Sequence, residues 1–192
     1  MRVVISLFAL SLFATSALAA GWQDVATPAD QKRLSLLEES KAKGLEAARG
    51  GSDMAAINEA LGAEGGPAEG IEGNWRCRLI KLGGMTPSRV YSWFTCRISD
   101  RGGHLFFNKL SGSTRTAGYL YPAHDGKYVY LGAEYMSTEP MHAYSGSGAS
   151  VGAVQTPDDE IGLLSGIGAG HARIELPYPV QESAFDVIAL RR

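Results

Sequence analysis

The sequence predicts a mainly β protein: a helical N-terminal region, then an antiparallel barrel or strongly curved sheet of about eight to nine strands. Three observations predict it. Apolar residues recur at helical spacing only before residue 62. From Trp75 onward they alternate with a period of two, as on a strand with one buried face. Turn residues then interrupt the chain at hairpin spacing, and most of the 24 glycines fall in that half.

The totals set bounds. A chain of 192 residues, 45% hydrophobic and 20% charged, is long enough for one full core and too apolar to be disordered. Residues 1–19 read as a secretory signal peptide. Arg2 supplies the positive start, 3–13 the apolar run, and Ala17-Leu18-Ala19 the small-x-small cleavage pattern. Cleavage is expected after Ala19 or Ala20. Export makes the protein periplasmic or secreted, with no membrane span once the signal is removed. Loss of Arg2 leaves 17 basic against 20 acidic side chains, a balance that excludes bulk attraction to nucleic acid.

Residues 20–66 form the helical region, expected to pack on the barrel. Thr27-Pro28-Ala29-Asp30 is a helix start: a capping hydroxyl, a first-turn proline and an acid facing the dipole. The stripe Leu34, Leu37, Ala42, Leu45, Ala48 predicts a helix over 31–49, ended by Gly50-Gly51. A shorter helix follows from Ser52, anchored by Ile57 and Leu61 and stopped at Gly62. Gly65-Gly66-Pro67 is a linker.

Residues 67–192 are the β domain. Trp75, Cys77 and Leu79 alternate with Arg76 and Arg78 on the first strand; Val90, Phe94, Cys96 and Ile98 share a face of the next, 90–99. In an exported chain, two cysteines on apolar faces of neighbouring strands predict a disulfide. Directly opposed, they would place Trp75 against Ile98 and Arg76 against Arg97. Ile80, Tyr91 and Trp93 make the other face too apolar for water, so helices should cover part of it. Further strands are expected at 104–110, 114–121, 127–135, 150–156, 161–165, 172–176 and 184–190. The loop 139–149 is the candidate mobile lid.

Two resemblances follow. A helical lead-in and then Gly73-x-Trp75 on the first strand resembles the calycin superfamily of lipocalin-type barrels. That resemblance implies that Trp75 closes the barrel floor under an arginine from the last strand, Arg191 or Arg192, with Arg191 taken as the partner. Trp75-Arg76-Cys77-Arg78, Phe94-x-Cys96-Arg97-Ile98 and the tail Leu176-Pro177-Tyr178-Pro179 with Phe185-Asp186-Val187-Ile188 resemble an uncharacterised bacterial secreted family, domain of unknown function number 4893. It implies shared fold and export, and no known activity.

No catalytic constellation is readable. His104, His124, His142 and His171 lack ligand spacing, so no metal or cofactor is expected. His124-Asp125 sits in a turn, and Asp158-Asp159-Glu160 reads as a solvated turn before it reads as a calcium loop. Arg76, Arg78 and Arg97 share a face. They offer an anion or partner patch, or pair with helix carboxylates such as Glu38, Glu39 or Glu46. The expectation is a non-enzymatic exported binding protein for an unknown small apolar ligand or a protein. The alternatives are a protein-binding module such as a protease inhibitor and, third, an unrecognised hydrolase.

Overall fold

Alternating side chains that are apolar on one face must close that face against something, and here the sheet closes on itself. The computed structural model describes residues 21–148 and 153–192. The export segment and both cleavage positions lie outside the described residues. Among the described residues nine strands run β1 (Gly73–Leu82), β2 (Ser88–Val90), β3 (Phe94–Arg101), β4 (His104–Lys109), β5 (Thr114–Pro122), β6 (Tyr128–Met136), β7 (Asp159–Gly166), β8 (His171–Pro177) and β9 (Phe185–Arg191). Every neighbour is antiparallel, and β9 pairs back onto β1 over Arg76–Leu82, which closes an eight-stranded barrel. The ninth strand, β2, is a short addition to the far end of β1.

The β1–β3 register differs from the expected one by two residues. Trp75 faces Cys96 and Cys77 faces Phe94. The cause is that the two cysteines bridge diagonally and do not face each other; a one-residue bulge lies just beyond them. Ile80 pairs with Val90, so Arg78 and Leu79 oppose the three residues Tyr91, Ser92 and Trp93. The predicted strand 90–99 is thereby split into β2 and β3. The disulfide forms all the same, across a diagonal pair with Cα atoms 5.8 Å apart, inside the range a bridge allows. The strand expected at 150–156 is absent from its described part, 153–156, and residues 150–152 lie outside the described residues.

The helical region holds four helices: α1 (Trp22–Val25), α2 (Pro28–Ser35), α3 (Leu37–Ala48) and α4 (Met54–Leu61). Thr27 caps α2 by accepting from the Asp30 amide at 3.2 Å. The single helix expected over 31–49 breaks at Leu36, whose backbone leaves the helical region. Gly50 ends α3 with a φ of +74°, which favours glycine.

The helices wrap the outside of the barrel. Leu37, Leu45, Ala48, Ile57 and Ala60 of α3 and α4 pack on Ile80, Leu82, Phe185 and Val187 of β1 and β9, with Trp93 at the edge. That covers Ile80 and Trp93 of the apolar face; Tyr91, expected on the same face, lines the hollow at the barrel mouth instead. Ala26 and Leu34 pack on Val129, Leu131 and Ile161 together with Tyr144. The loop carrying Tyr144 is docked, contrary to the mobile lid expected there. The Tyr144 hydroxyl donates to buried Asp30 at 2.5 Å and accepts from the Thr27 amide at 2.9 Å. Asp30 also takes the Arg33 guanidinium, so α2 and the loop share one anchor.

Candidate functional site

Strand parity points Trp75, Cys77, Cys96, Ile98, Phe107, Leu120, Tyr130, Leu164, Ile174, Ile188 and Leu190 into the barrel. They fill its lower half. The floor is sealed by Ala68 and Ile71 from the chain entering β1. Trp75 is 5% exposed, and its indole N–H donates to the Ile71 carbonyl at 2.8 Å. Gly73 holds a φ of +127°, which other residues rarely adopt. The arginine stacked on Trp75 is Arg192, 4.3 Å from the ring. It also donates to the Gly70 and Glu72 carbonyls. Arg191, the residue expected there, points to the other side of β9 and stacks on Trp93 at 4.0 Å. The reason is parity: Leu190 is inward, so Arg191 is outward.

The three arginines of the expected patch lie on the outer face. Arg78, like Arg191, stacks on Trp93, 4.3 Å from the ring, and meets Glu59 of α4 at 3.8 Å. Its carboxylate partner is therefore Glu59, not Glu38, Glu39 or Glu46. Arg76 donates to the Trp93 carbonyl, and Arg97 is exposed between Asn74 and Asn108. Among the tyrosines of β5 and β6, Tyr128 and Tyr130 point inward, whereas Tyr119 and Tyr135 join Phe106 on the outer face and Tyr121 packs on the outer cluster with Val129 and Leu131. Asp158, Asp159 and Glu160 diverge: Asp158 meets His142, Asp159 binds Ser145 and Thr156, and Glu160 turns inward. Among the described residues no three His, Cys, Asp or Glu side chains form a metal-binding group.

The upper half of the lumen is polar. The same inward rows that begin with Trp75, Phe107, Tyr130 and Ile188 end in Lys81, Lys109, Glu134 and Asp186, joined by Glu160 of β7. Sequence reasoning places none of these five in the lumen: it reads Glu160 as part of a solvated turn and Asp186 only as part of the tail motif. The available signal was a charged residue at the inward phase of an otherwise apolar alternation.

Their environments differ. Lys81 donates to Glu182 at 2.7 Å and lies 3.9 Å from Asp186. Burial opposes its charge, but the Glu182, Asp186 and Glu134 carboxylates outweigh that and raise its pKa. Burial pushes the Asp186 carboxyl up to about 7, although Ser183 donates to it at 2.5 Å. Burial, then the nearby Glu134 charge, pushes Glu160 up to about 8. Glu160 accepts hydrogen bonds from Thr116 and from the buried Tyr130 phenol. A Cβ on Gly132 would lie 2.1 Å from the Tyr130 hydroxyl, so that ring lies along its own strand over residue 132 only because that residue is glycine. Burial raises Glu134 and lowers Lys109.

Above this layer is open space. A cavity of about 210 Å³ is lined by the apolar Leu79, Tyr91 and Phe94 and by Lys81, Lys109, Thr114, Glu134 and Glu182. A second hollow of about 170 Å³ shares Lys81, Tyr91 and Glu182 with it and extends under Met85. The opening at the floor end is larger, about 490 Å³, but its charged groups Glu64, Glu69, His171 and Arg192 are exposed and its walls are mostly loop backbone. The mouth is the end where buried charge meets space.

These features define an antiparallel eight-stranded barrel with one disulfide, an outer helical wrap and a charged cup at one end. The chain belongs to the family described as Domain of unknown function (DUF4893), whose model matches residues 22–190. No curated protein and no solved structure matches it.

Proposed function

We propose that this is an exported, non-enzymatic binding protein that holds a small polar ligand in the cup at the barrel mouth. The observation that carries the reading is the division of the lumen. Its apolar half is filled by its own side chains, and the open volume lies against Lys81, Lys109 and Glu134. A space of about 210 Å³ exceeds the roughly 10–15 Å³ that one water requires and falls below the roughly 300 Å³ at which drug-sized pockets begin. Export is supported by the signal-type composition of residues 1–19 and by the disulfide. A calycin-like classification is supported by Gly73 and Trp75 on β1 with Arg192 over the indole. The non-enzymatic reading is supported by the commitment of Glu160 and Asp186 to neighbouring hydroxyls.

Native mass spectrometry of protein recovered from its export compartment tests this. The expected result is a non-covalent small-molecule adduct that is lost on mild activation. Clean protein that instead captures a protein partner at fixed stoichiometry would replace the proposal with the protein-binding alternative. That second reading draws on Met85, 96% exposed at the tip of the β1–β2 turn.

A further inference from the structure

The cup contains two kinds of charge. Lys81 is matched by Glu182 and Asp186. Lys109 is not matched. It is 8% exposed, donates to the Thr114 carbonyl and lies 4.1 Å over the Phe94 ring. Among the described residues no carboxylate comes within 4.0 Å of its ammonium. Glu134 is its counterpart. Among the described residues its carboxylate forms no ion pair within 4.0 Å and no hydrogen bond; burial raises its pKa, and the Lys81 charge, then the Lys109 charge, opposes that rise.

Register places the two side chains. Asn108 pairs with Ala117, which sets Lys109 beside Thr116, and Thr116 pairs with Glu134. Lys109, Thr116 and Glu134 therefore form one row across β4, β5 and β6. Adjacent strands are about 4.8 Å apart, so the two backbones stand roughly 10 Å from each other. Both charged ends line the cavity, with the Lys81–Glu182 pair beside them, and Leu79, Tyr91 and Phe94 form its apolar wall.

Resting on the binding reading above, we propose that the ligand is a small zwitterion with an apolar or aromatic group, of the α-amino-acid type. Its carboxylate meets Lys109, its ammonium meets Glu134, and its side group lies on Tyr91 and Phe94. A lone anion leaves Glu134 buried against it, and a lone cation leaves Lys109 so. Either case carries the penalty of an uncompensated charge in a poorly solvated site. Selectivity thus comes from the wrong charge pattern being repelled as much as from the right one being held.

Isothermal titration with three matched probes tests the proposal: L-phenylalanine, 3-phenylpropionate and 2-phenylethylamine. The wild-type protein is expected to bind L-phenylalanine at least about tenfold tighter than either singly charged probe, which corresponds to about 1.4 kcal/mol. In Lys109→Met the preference over 2-phenylethylamine disappears; in Glu134→Gln the preference over 3-phenylpropionate disappears. Circular dichroism of each variant verifies the fold. Equal binding of a singly charged probe by the wild type overturns the zwitterion and leaves the cup as a binding site. Absence of heat with all three probes also overturns it. A small-molecule adduct in native mass spectrometry would then keep the broader reading alive, and clean protein would end both.

Discussion

The two ends of the barrel use the same strands for opposite purposes. At the floor, Trp75, Ile71, Ala68 and the Cys77–Cys96 bridge exclude water, and the polar atoms present are satisfied by fixed partners. At the mouth, Lys81, Lys109, Glu134, Glu160 and Asp186 occupy the equivalent inward positions; burial pushes Glu160 up to about 8 and Asp186 up to about 7, raises Glu134 and lowers Lys109. An apolar inward row stabilises a barrel; a charged one opposes it. The mouth therefore retains groups that folding alone would not select, and that imbalance is what marks it as the place to look for function.

The largest expected effect is at the floor. Trp75→Ala removes a side chain packed against Ala68, Ile71 and Ile98 and the support under Arg192. It should cost about 3–5 kcal/mol, read from the urea midpoint at constant slope. A loss below about 1 kcal/mol would mean that the floor is not the anchored end and that the contrast is wrongly drawn.

The mouth should answer in the opposite direction. Glu160 sits near 8 in the folded protein against an ordinary value of 4.5, and Asp186 near 7 against 3.8. Raised carboxyl groups favour the folded state while protonated. Their contribution is complete below about pH 4 and is lost as pH rises toward 8. Glu134, Asp186 and Tyr130 face Glu160, so the titrations share one electrostatic environment. The wild-type protein should be less stable at pH 8.5 than at pH 5, by on the order of 3 kcal/mol. Glu160→Gln keeps acceptors and donors for Thr116 and Tyr130 without the charge. It should flatten the pH profile and raise stability at pH 8.5 by about 2 kcal/mol. Urea unfolding at both pH values measures it, and a variant less stable than wild type at pH 8.5 would refute the account.

The floor was legible in the sequence and the mouth was not, for one physical reason. Trp75, Cys77, Cys96 and Ile98 announce a buried face because they are apolar at period two. The two cysteines also sat on the inward faces of neighbouring strands, so the bridge could be read even with the register wrong. The slip of two residues arises because a disulfide spans a diagonal pair as well as an opposed one, so the bridge alone does not fix the register. Lys81, Lys109, Glu134 and Asp186 obey the same alternation, but a charged residue at a strand end reads equally well as the start of a solvated turn. Only closure of the sheet, which pairs β9 with β1, shows that those ends converge. Docking of Tyr144 on Asp30 was likewise hidden, since residues 114 apart in sequence give no local signal.

The smallest effect separates two neighbouring residues. Arg192 stacks on Trp75 at 4.3 Å and ties the Gly70 and Glu72 carbonyls to the end of β9. Arg191 stacks on Trp93 at 4.0 Å, and Arg78 lies 4.3 Å from the same ring. Cation–π contacts at exposed sites contribute about 0.5–1 kcal/mol each. Arg192→Ala loses the stack and two charge-assisted hydrogen bonds, so about 1–1.5 kcal/mol is expected. Arg191→Ala leaves Trp93 covered by Arg78 and should cost about 0.5 kcal/mol or less. Hydrogen exchange gives the sharper readout. Arg192→Ala should speed exchange at the Ala68 amide, which donates to the Gly126 carbonyl beside the floor, and Arg191→Ala should leave it unchanged. The reverse order would place the arginine that closes the floor on the outer face of β9, against the strand's own alternation.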